Sequence, residues 1–337
     1  MAHRRGRCYT QQCMEPEISA RDNLTVVALG GNAIIAKGER GTISQQFANV
    51  RRTLRPIVAL MQQGHNFILT HGNGPQVGNL LVQNELASAE VPDLPLGVLD
   101  AMTCGSMGYM IAQCLQNVMI DAGTWRDVVT LPIQVVVDRN DPAMADPSKP
   151  IGPFYDRQQA QQLSRERGWI VKEDAGRGWR RYVASPRPID IIEKDAIASL
   201  LDKQYTVVTA GGGGIPVEYD RDGTIEGVDC VIDKDLSSAK LALTVGARRL
   251  LIITGVPQVT LNYGSQDERP LGTIGVTEAR SYYDQGQFPA GSMGPKMLAA
   301  IEFAAAHREN RVIITNEASL LDAFAGKAGT HIVADER

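Results

Sequence analysis

The 337-residue chain has no apolar run approaching the roughly 20 residues needed to span a bilayer. No signal-peptide core is visible near its N-terminus, so a cytoplasmic protein away from membranes is expected. Charge of one sign is not in excess: 34 Lys and Arg face 38 Asp and Glu, for a net charge of −4. Nothing global therefore points to nucleic acid. The five cysteines (Cys8, Cys13, Cys104, Cys114 and Cys230) are odd in number and form no CxxC pair. Neither a disulfide framework nor a zinc site is indicated. Five scattered histidines without an HExxH give no transition-metal site. A GxxxxGK[ST] phosphate loop is missing, and no nucleophile–His–acid triad is evident. That last absence is informative if the acceptor oxygen is already ionised. A carboxylate-like acceptor needs positioning and charge neutralisation, and no general base.

Hydrophobic residues at 43% and charged residues at 21% are ordinary for a globular protein. The length suits one large α/β domain or two ordinary ones. Residues 1 to 24 lack periodicity; Arg4, Arg5 and Arg7 are followed by Glu15 and Glu17. An extra, disordered tail is expected there, and Met14 is an alternative start. Beyond it, strand and helix alternate. Strands are expected at Val26–Leu29, Asn66–Thr70, Thr206–Thr209, Arg249–Thr254 and Arg311–Thr315. Helices are expected from Ser44 to Gly64 around Pro56, and over 99–122, 236–245, 276–285, 295–308 and 319–325. The 99–122 helix carries a Met-rich stripe that suits core or a subunit interface. Asp127 to Val137 reads as a strand with an edge or a bend at Pro132. Residues about 140–188 fall outside the alternation. With a hairpin of Trp169–Lys172 and Trp179–Val183, they read as an inserted lid. The expected fold is a three-layer α/β/α sandwich with a mostly parallel central sheet. Glycine turns at Gly30, Gly72 and Gly211 all follow strands, so they should converge at one sheet edge, where such folds bind ligands.

Residues 206–240 carry the strongest chemical signal. A β-branched strand ends in four glycines, Gly211 to Gly214, and Asp233-Lys234-Asp235 then opens a helix. Glycines let backbone N–H groups approach a ligand, and the cation sits beside a positive helix end. Either half alone reads as a plain turn or an N-cap aspartate; the pair on one stretch suggests a site for a phosphate-bearing anion. Lys296, in Gly291-Ser292-Met293-Gly294-Pro295-Lys296, is a second lysine at a helix start. Such lysines are what phosphoryl transfer needs to neutralise the equatorial oxygens. Gly72-Asn73-Gly74 and Gly78 imitate a dinucleotide fingerprint only as GxGxxxG.

Seven segments together resemble the carbamate kinases, within the amino acid kinase superfamily. They are VVALGGNAI at 26–34, THGNGPQVGN at 70–79, SKPIGPFY at 148–155, AGGGGIPV at 210–217, VIDKDLSSAKLA at 231–242, GSMGPKMLAAIEF at 291–303 and KAGTHI at 327–332. SKPIGPFY with its insertion is specific to carbamate kinases within the superfamily. The resemblance implies reversible phosphoryl transfer between ATP plus carbamate and ADP plus carbamoyl phosphate, commonly used to make ATP in arginine or related catabolism. By motif match, Lys234 and Lys296 would grip the transferring group, Asp235 would orient them, and Lys149 would reach in from the lid. Gly30, Gly31, Asn32, Gly72 and Asn73 would hold the acceptor and its phosphate through backbone and amide donors. Gly211, Gly212, Gly213, Val256, Tyr263, Gly264 and Met293 would lie around the nucleotide. Mg²⁺ would arrive with the ATP or ADP, with no protein ligand of its own. A homodimer is implied. An acceptor-binding part over about 25–205 and a nucleotide-binding part over about 206–337 are expected.

This chain departs from the family pattern at Gly97, Cys104 and Ala184. Those positions are expected to touch the dimer helix and lid rim rather than the phosphoryl site. Competing readings are a superfamily relative acting on acetylglutamate or a nucleoside monophosphate, a dinucleotide-dependent oxidoreductase on the Gly72 turn, and a non-catalytic nucleotide sensor.

Overall fold

The structure, a computed structural model, describes residues 23–36, 38–174, 178–289 and 291–335. The expected tail, with Arg4, Arg5, Arg7, Cys8 and Cys13, lies outside the described residues up to residue 22. An eight-stranded sheet forms the middle layer. Its order is Thr273–Gly275, Thr330–Val333, Arg311–Thr315, Arg249–Ile253, Leu24–Leu29, Asn66–His71, Thr206–Thr209 and Val128–Leu131. Every neighbouring pair is parallel except Arg311–Thr315 with Thr330–Val333.

The central strands read as unbroken apolar runs because both sheet faces are covered. Side chains alternate between two cores, as a strand period of two requires. Val26 and Ala28 join Val207, Leu250 and Ile252 on one face, under the helices Lys234–Val245 and Met293–Ala306. Val27 and Leu29 join Leu69, Val208 and Leu251 on the other, under the helices Ile43–Gln62 and Leu96–Asp121. The result is the expected three-layer α/β/α arrangement. Ile43–Gln62 begins at a capping box between Thr42 and Gln45, and Pro56 lies within it.

Leu96–Asp121 starts three residues earlier than Leu99. Its methionines do not form one stripe. Met107, Met110 and Met119 are core, whereas Val98, Met102, Tyr109 and Ile120 are exposed. Among the described residues, no helix is long and apolar enough to cross a membrane.

The stretch Asp127 to Val137 breaks at Pro132 and Ile133 into two strands. Val128–Leu131 takes the edge of the main sheet, and Gln134–Val136 joins a second, four-stranded sheet. The insertion is an antiparallel three-stranded sheet in the order Lys149–Tyr155, Trp179–Val183, Ile170–Glu173, whose hairpin loop lies partly outside the described residues. It also contains a helix, Arg157–Arg167, that periodicity did not reveal. Asp156 caps that helix in a box with Gln159, and Gly168 ends it with φ +66°. Only Ala160 of the helix is buried. A lone hairpin is marginal in water. Here Ile151 and Val183 pack with Val77, Leu81, Leu96 and Leu99, anchoring the insertion to the helices Gly74–Ala87 and Leu96–Asp121.

Candidate active site

Parallel pairing in register brings the carboxyl ends of three strands level: Leu29 stands opposite both His71 and Ile253. The turns at Gly30 and Gly72 therefore share one edge. Gly30 N donates to Ile253 O at 3.0 Å and Gly72 N to Leu29 O at 3.0 Å. A Cβ on Gly30 would stand 2.5 Å from Ile253 O, so that approach is open only to glycine. The third turn follows Thr206–Thr209 through Ala210 (φ +49°) and Gly212 (φ +64°).

Asp233 caps Lys234–Val245. Its Oδ1 accepts from Asp235 N at 2.9 Å and Leu236 N at 3.4 Å. Its Oδ2 accepts from Lys149 Nζ at 2.6 Å, which brings the insertion to the helix start. Asp235, in the first turn of the helix, bridges two lysines. Oδ1 pairs with Lys234, and Oδ2 accepts from Lys296 Nζ at 3.1 Å. Burial would by itself raise the Asp235 carboxyl, but Lys234 and Lys296 outweigh it and hold the group below the usual range. Burial pulls the Lys234 ammonium down; Asp235 resists and Lys296 adds to the pull. The Lys234 and Lys296 side chains are 11% and 16% exposed. They are more enclosed than an open, solvent-filled cleft would leave them. Three lysines against two carboxylates at a helix N-terminus leave net positive charge for an anion.

Two cavities meet at these lysines. One, of about 500 Å³, is lined by Gly30, Asn32, Val256, Tyr263 and Met293. The other, of about 360 Å³, is lined by Gly72, Asn73, Lys149, Gly212 and Asp233. Gly31, Lys234, Ser292 and Lys296 line both. A group passed between molecules in the two cavities would cross this shared lysine border.

The geometry divides the expected residues between the two cavities differently from the expected grouping. Gly211, Gly212 and Gly213 do not surround the cavity holding Val256, Tyr263 and Met293. Gly212 lines the smaller cavity, and Gly211 and Gly213 are buried and line neither. The strand order is the reason. Thr206–Thr209 pairs with Asn66–His71 on the side away from Arg249–Ile253, so its turn faces Asn73 and not Val256. Gly264 is exposed in a turn, where its N donates to Glu268 Oε2 at 2.9 Å, and lines neither cavity. Cys104, expected on the dimer helix and not at the phosphoryl site, is buried on Leu96–Asp121 behind the glycine turn, its Sγ donating to Gly211 O at 3.1 Å.

Sequence reading missed three residues here. Asp100 is buried and takes a hydrogen bond from Asn73 Nδ2. Burial pushes its carboxyl up to about 7, with Asn73 pulling the other way. Thr103 Oγ1 accepts from the same Asn73 nitrogen at 2.8 Å. His71 is buried beside Gly211 and is pushed down to about 4, first by burial. The one available signal was an aspartate on the apolar face of a long helix, where a carboxylate needs a partner.

The model of the amino acid kinase family matches residues 23–316. The carbamate kinase of Pyrococcus furiosus is 46% identical over 310 residues, covering 91% of this chain and 98% of that protein. That of Clostridium perfringens is 40% identical over 311 residues, covering 91% and 99%. Among solved structures, the carbamate kinase from Giardia lamblia bound to AMP-PNP superposes with a TM-score of 0.88 at 41% identity, covering 94% of this chain and all of that one.

Proposed function

This chain belongs to the amino acid kinase family and, within it, to the carbamate kinases; from that premise we propose that it transfers a phosphoryl group reversibly between ATP plus carbamate and ADP plus carbamoyl phosphate. The carrying observation is Asp235 holding Lys234 and Lys296 together where two cavities meet. The larger cavity takes the adenine nucleotide, with Val256, Tyr263 and Met293 against it. The smaller takes carbamate or the carbamoyl end of carbamoyl phosphate, over Gly72 and Asn73. In transit the phosphoryl group lies between Lys234 and Lys296, with the N–H groups of the Gly30–Asn32 turn beside it. Charge on its equatorial oxygens is what those donors neutralise. Carbamate is already an anion, so attack requires alignment and no proton removal.

Lys149 closes the acceptor side from the insertion. Closure excludes water, which would otherwise hydrolyse carbamoyl phosphate, a mixed anhydride. Asp233 and Asp235 are both committed to lysines, so Mg²⁺ would be held by the nucleotide's phosphate oxygens and would supply charge neutralisation there. The exposed Val98, Met102, Tyr109 and Ile120 on one long helix suit packing against a second copy in a homodimer. The Gly72 turn packs against the Lys234 stem and serves the phosphoryl site, which disfavours a dinucleotide-dependent oxidoreductase. Purified protein given Mg²⁺, ADP and carbamoyl phosphate should form ATP. No ATP above the spontaneous background from folded protein would remove the proposal.

A further inference from the structure

Asn73 lines the smaller cavity, where it was expected to offer amide donors. The structure turns both of them inward. Its Nδ2 donates to Asp100 Oδ1 and, at 2.8 Å, to Thr103 Oγ1. An amide nitrogen carries two hydrogens, so none remains for a ligand. Thr103 fixes which way round the amide sits. Its own hydroxyl proton goes to the backbone oxygen of Asp100 at 2.7 Å, so towards Asn73 it can only accept. A flipped amide would set oxygen against oxygen at Thr103, and again at Asp100 whenever its carboxyl is ionised. Gly212 closes the arrangement from above: a Cβ there would overlap both Asn73 Nδ2 and Asp100 Oδ1. The polar side-chain atom that Asn73 has left for the cavity is Oδ1, which has no hydrogen-bond partner among the described residues.

We propose that Asn73 Oδ1 reads the amino group of the substrate, accepting an N–H from carbamate or from the carbamoyl end of carbamoyl phosphate, and that Asp100 and Thr103 are positioning residues that hold it in this sense. The inference rests on the phosphoryl-transfer reading above and names what makes that site select a carbamoyl group. Lysines and backbone N–H groups recognise any carboxylate or acyl phosphate; they are donors and are indifferent to what else the carbonyl carbon bears. A hydrogen-bond acceptor aimed at the remaining substituent distinguishes –NH₂ from –CH₃, which is nearly the same size and donates nothing. A site built to meet an N–H rejects the analogue lacking it, because the acceptor is then left unpaired. Asp100 could not do this work directly, since Gly212 and Asn73 lie over it. Its place, with Thr103, is to consume the donors that would otherwise face the ligand.

The test compares ATP formation from ADP with carbamoyl phosphate and with acetyl phosphate, which replaces the amino group by methyl. The ratio of the two kcat/KM values is measured for the wild type, Thr103→Val, the double variant Thr103→Val with Asp100→Asn, and Thr103→Ser. The first variant removes the acceptor at Thr103 and the second also replaces Asp100 by a group that can donate, so the Asn73 amide becomes progressively free to turn over. The ratio should fall in both, by about tenfold in the double variant, the worth of one hydrogen bond, and mostly through carbamoyl phosphate. Thr103→Ser keeps the hydroxyl and should keep the ratio. An active wild type whose ratio is unchanged in both turning variants, with the two substrates falling together or not at all, overturns the inference alone. A wild type that makes no ATP from carbamoyl phosphate overturns the parent reading, and this one with it.

Discussion

Lys149 Nζ lies 2.6 Å from Asp233 Oδ2, 84 residues away in the chain. One end of this pair is the first residue of the inserted sheet; the other is the cap of the helix that carries Lys234 and Asp235. The insertion is thereby tied to the charge-bearing end of the site. Its ties elsewhere include apolar packing through Ile151 and Val183, a hydrogen bond from Tyr155 to both carboxylate oxygens of Glu85 at 3.0 Å, and an ion pair of Arg181 with Asp229 at 3.0 Å. A contact made by one lysine, at 30% exposure, can be exchanged for a substrate oxygen without unfolding the insertion.

Lys149→Ala should therefore lower turnover by roughly 10²-fold, the usual effect of deleting one charge-stabilising donor. It should weaken carbamoyl phosphate more than ADP. Steady-state kcat and KM for each substrate separate the effects. A loss confined to ADP affinity would place Lys149 outside the acceptor side.

Lys234→Ala and Lys296→Ala should each cost on the order of 10²–10³ in kcat. Each removes one partner of Asp235 and leaves the other, so the carboxylate keeps a hydrogen bond and the fold should hold. Near-normal turnover in either variant, measured at saturating ADP, would remove that lysine from the mechanism.

Asp235→Asn puts a neutral amide between two enclosed ammonium groups. Removing one member of a buried charge network typically costs about 3–5 kcal/mol, and with a side chain only 3% exposed Asp235 qualifies. The variant should unfold at lower denaturant and lose turnover as the lysines separate. Wild-type stability in urea, with normal kinetics, would show that the bridge matters to neither.

These residues differ in how readable they were. The strands before Gly30, Gly72 and Gly211 were legible because strands buried on both faces are continuous apolar or β-branched runs. Asp233-Lys234-Asp235 was legible because a helix cap and its charges are local. Which cavity each turn serves was not local: Gly211 to Gly213 follow their strand as Gly30 follows its own, and only the lateral strand order separates the two sides. The helix Arg157–Arg167 buries a single alanine, so no apolar period marks it. Asp100 and Thr103 were hidden for another reason. Thr103 reads as an ordinary helix residue and Asp100 as a lone carboxylate on an apolar face, and only the approach of Asn73 and Gly212 from elsewhere in the chain gives them a purpose. The same holds for Cys104, whose contact with Gly211 spans 107 residues of sequence.

His71 carries the last prediction. It ends the strand before Gly72, and its ring lies against Gly211. Burial is the largest influence on it; the hydrogen bond between Nδ1 and Gly72 O, at 3.2 Å, favours the cation, the Lys234 charge opposes it, and the outcome is about 4. In the unfolded chain the same imidazole titrates near 6.5. Between those values the unfolded state binds more protons than the folded one, so stability rises with pH across the window. It is full above about 6.5 and is lost as pH falls towards 4. At pH 5 the deficit should be about 2 kcal/mol relative to pH 7. Asp100 works in the opposite sense, since its raised value favours the folded state towards acid, so the wild-type curve alone does not isolate His71. His71→Gln removes the titration and leaves Asp100 in place. Urea unfolding at pH 7 and pH 5 should show the variant losing less stability on acidification than the wild type does. Equal losses in the two proteins would mean that His71 is not held neutral by its burial.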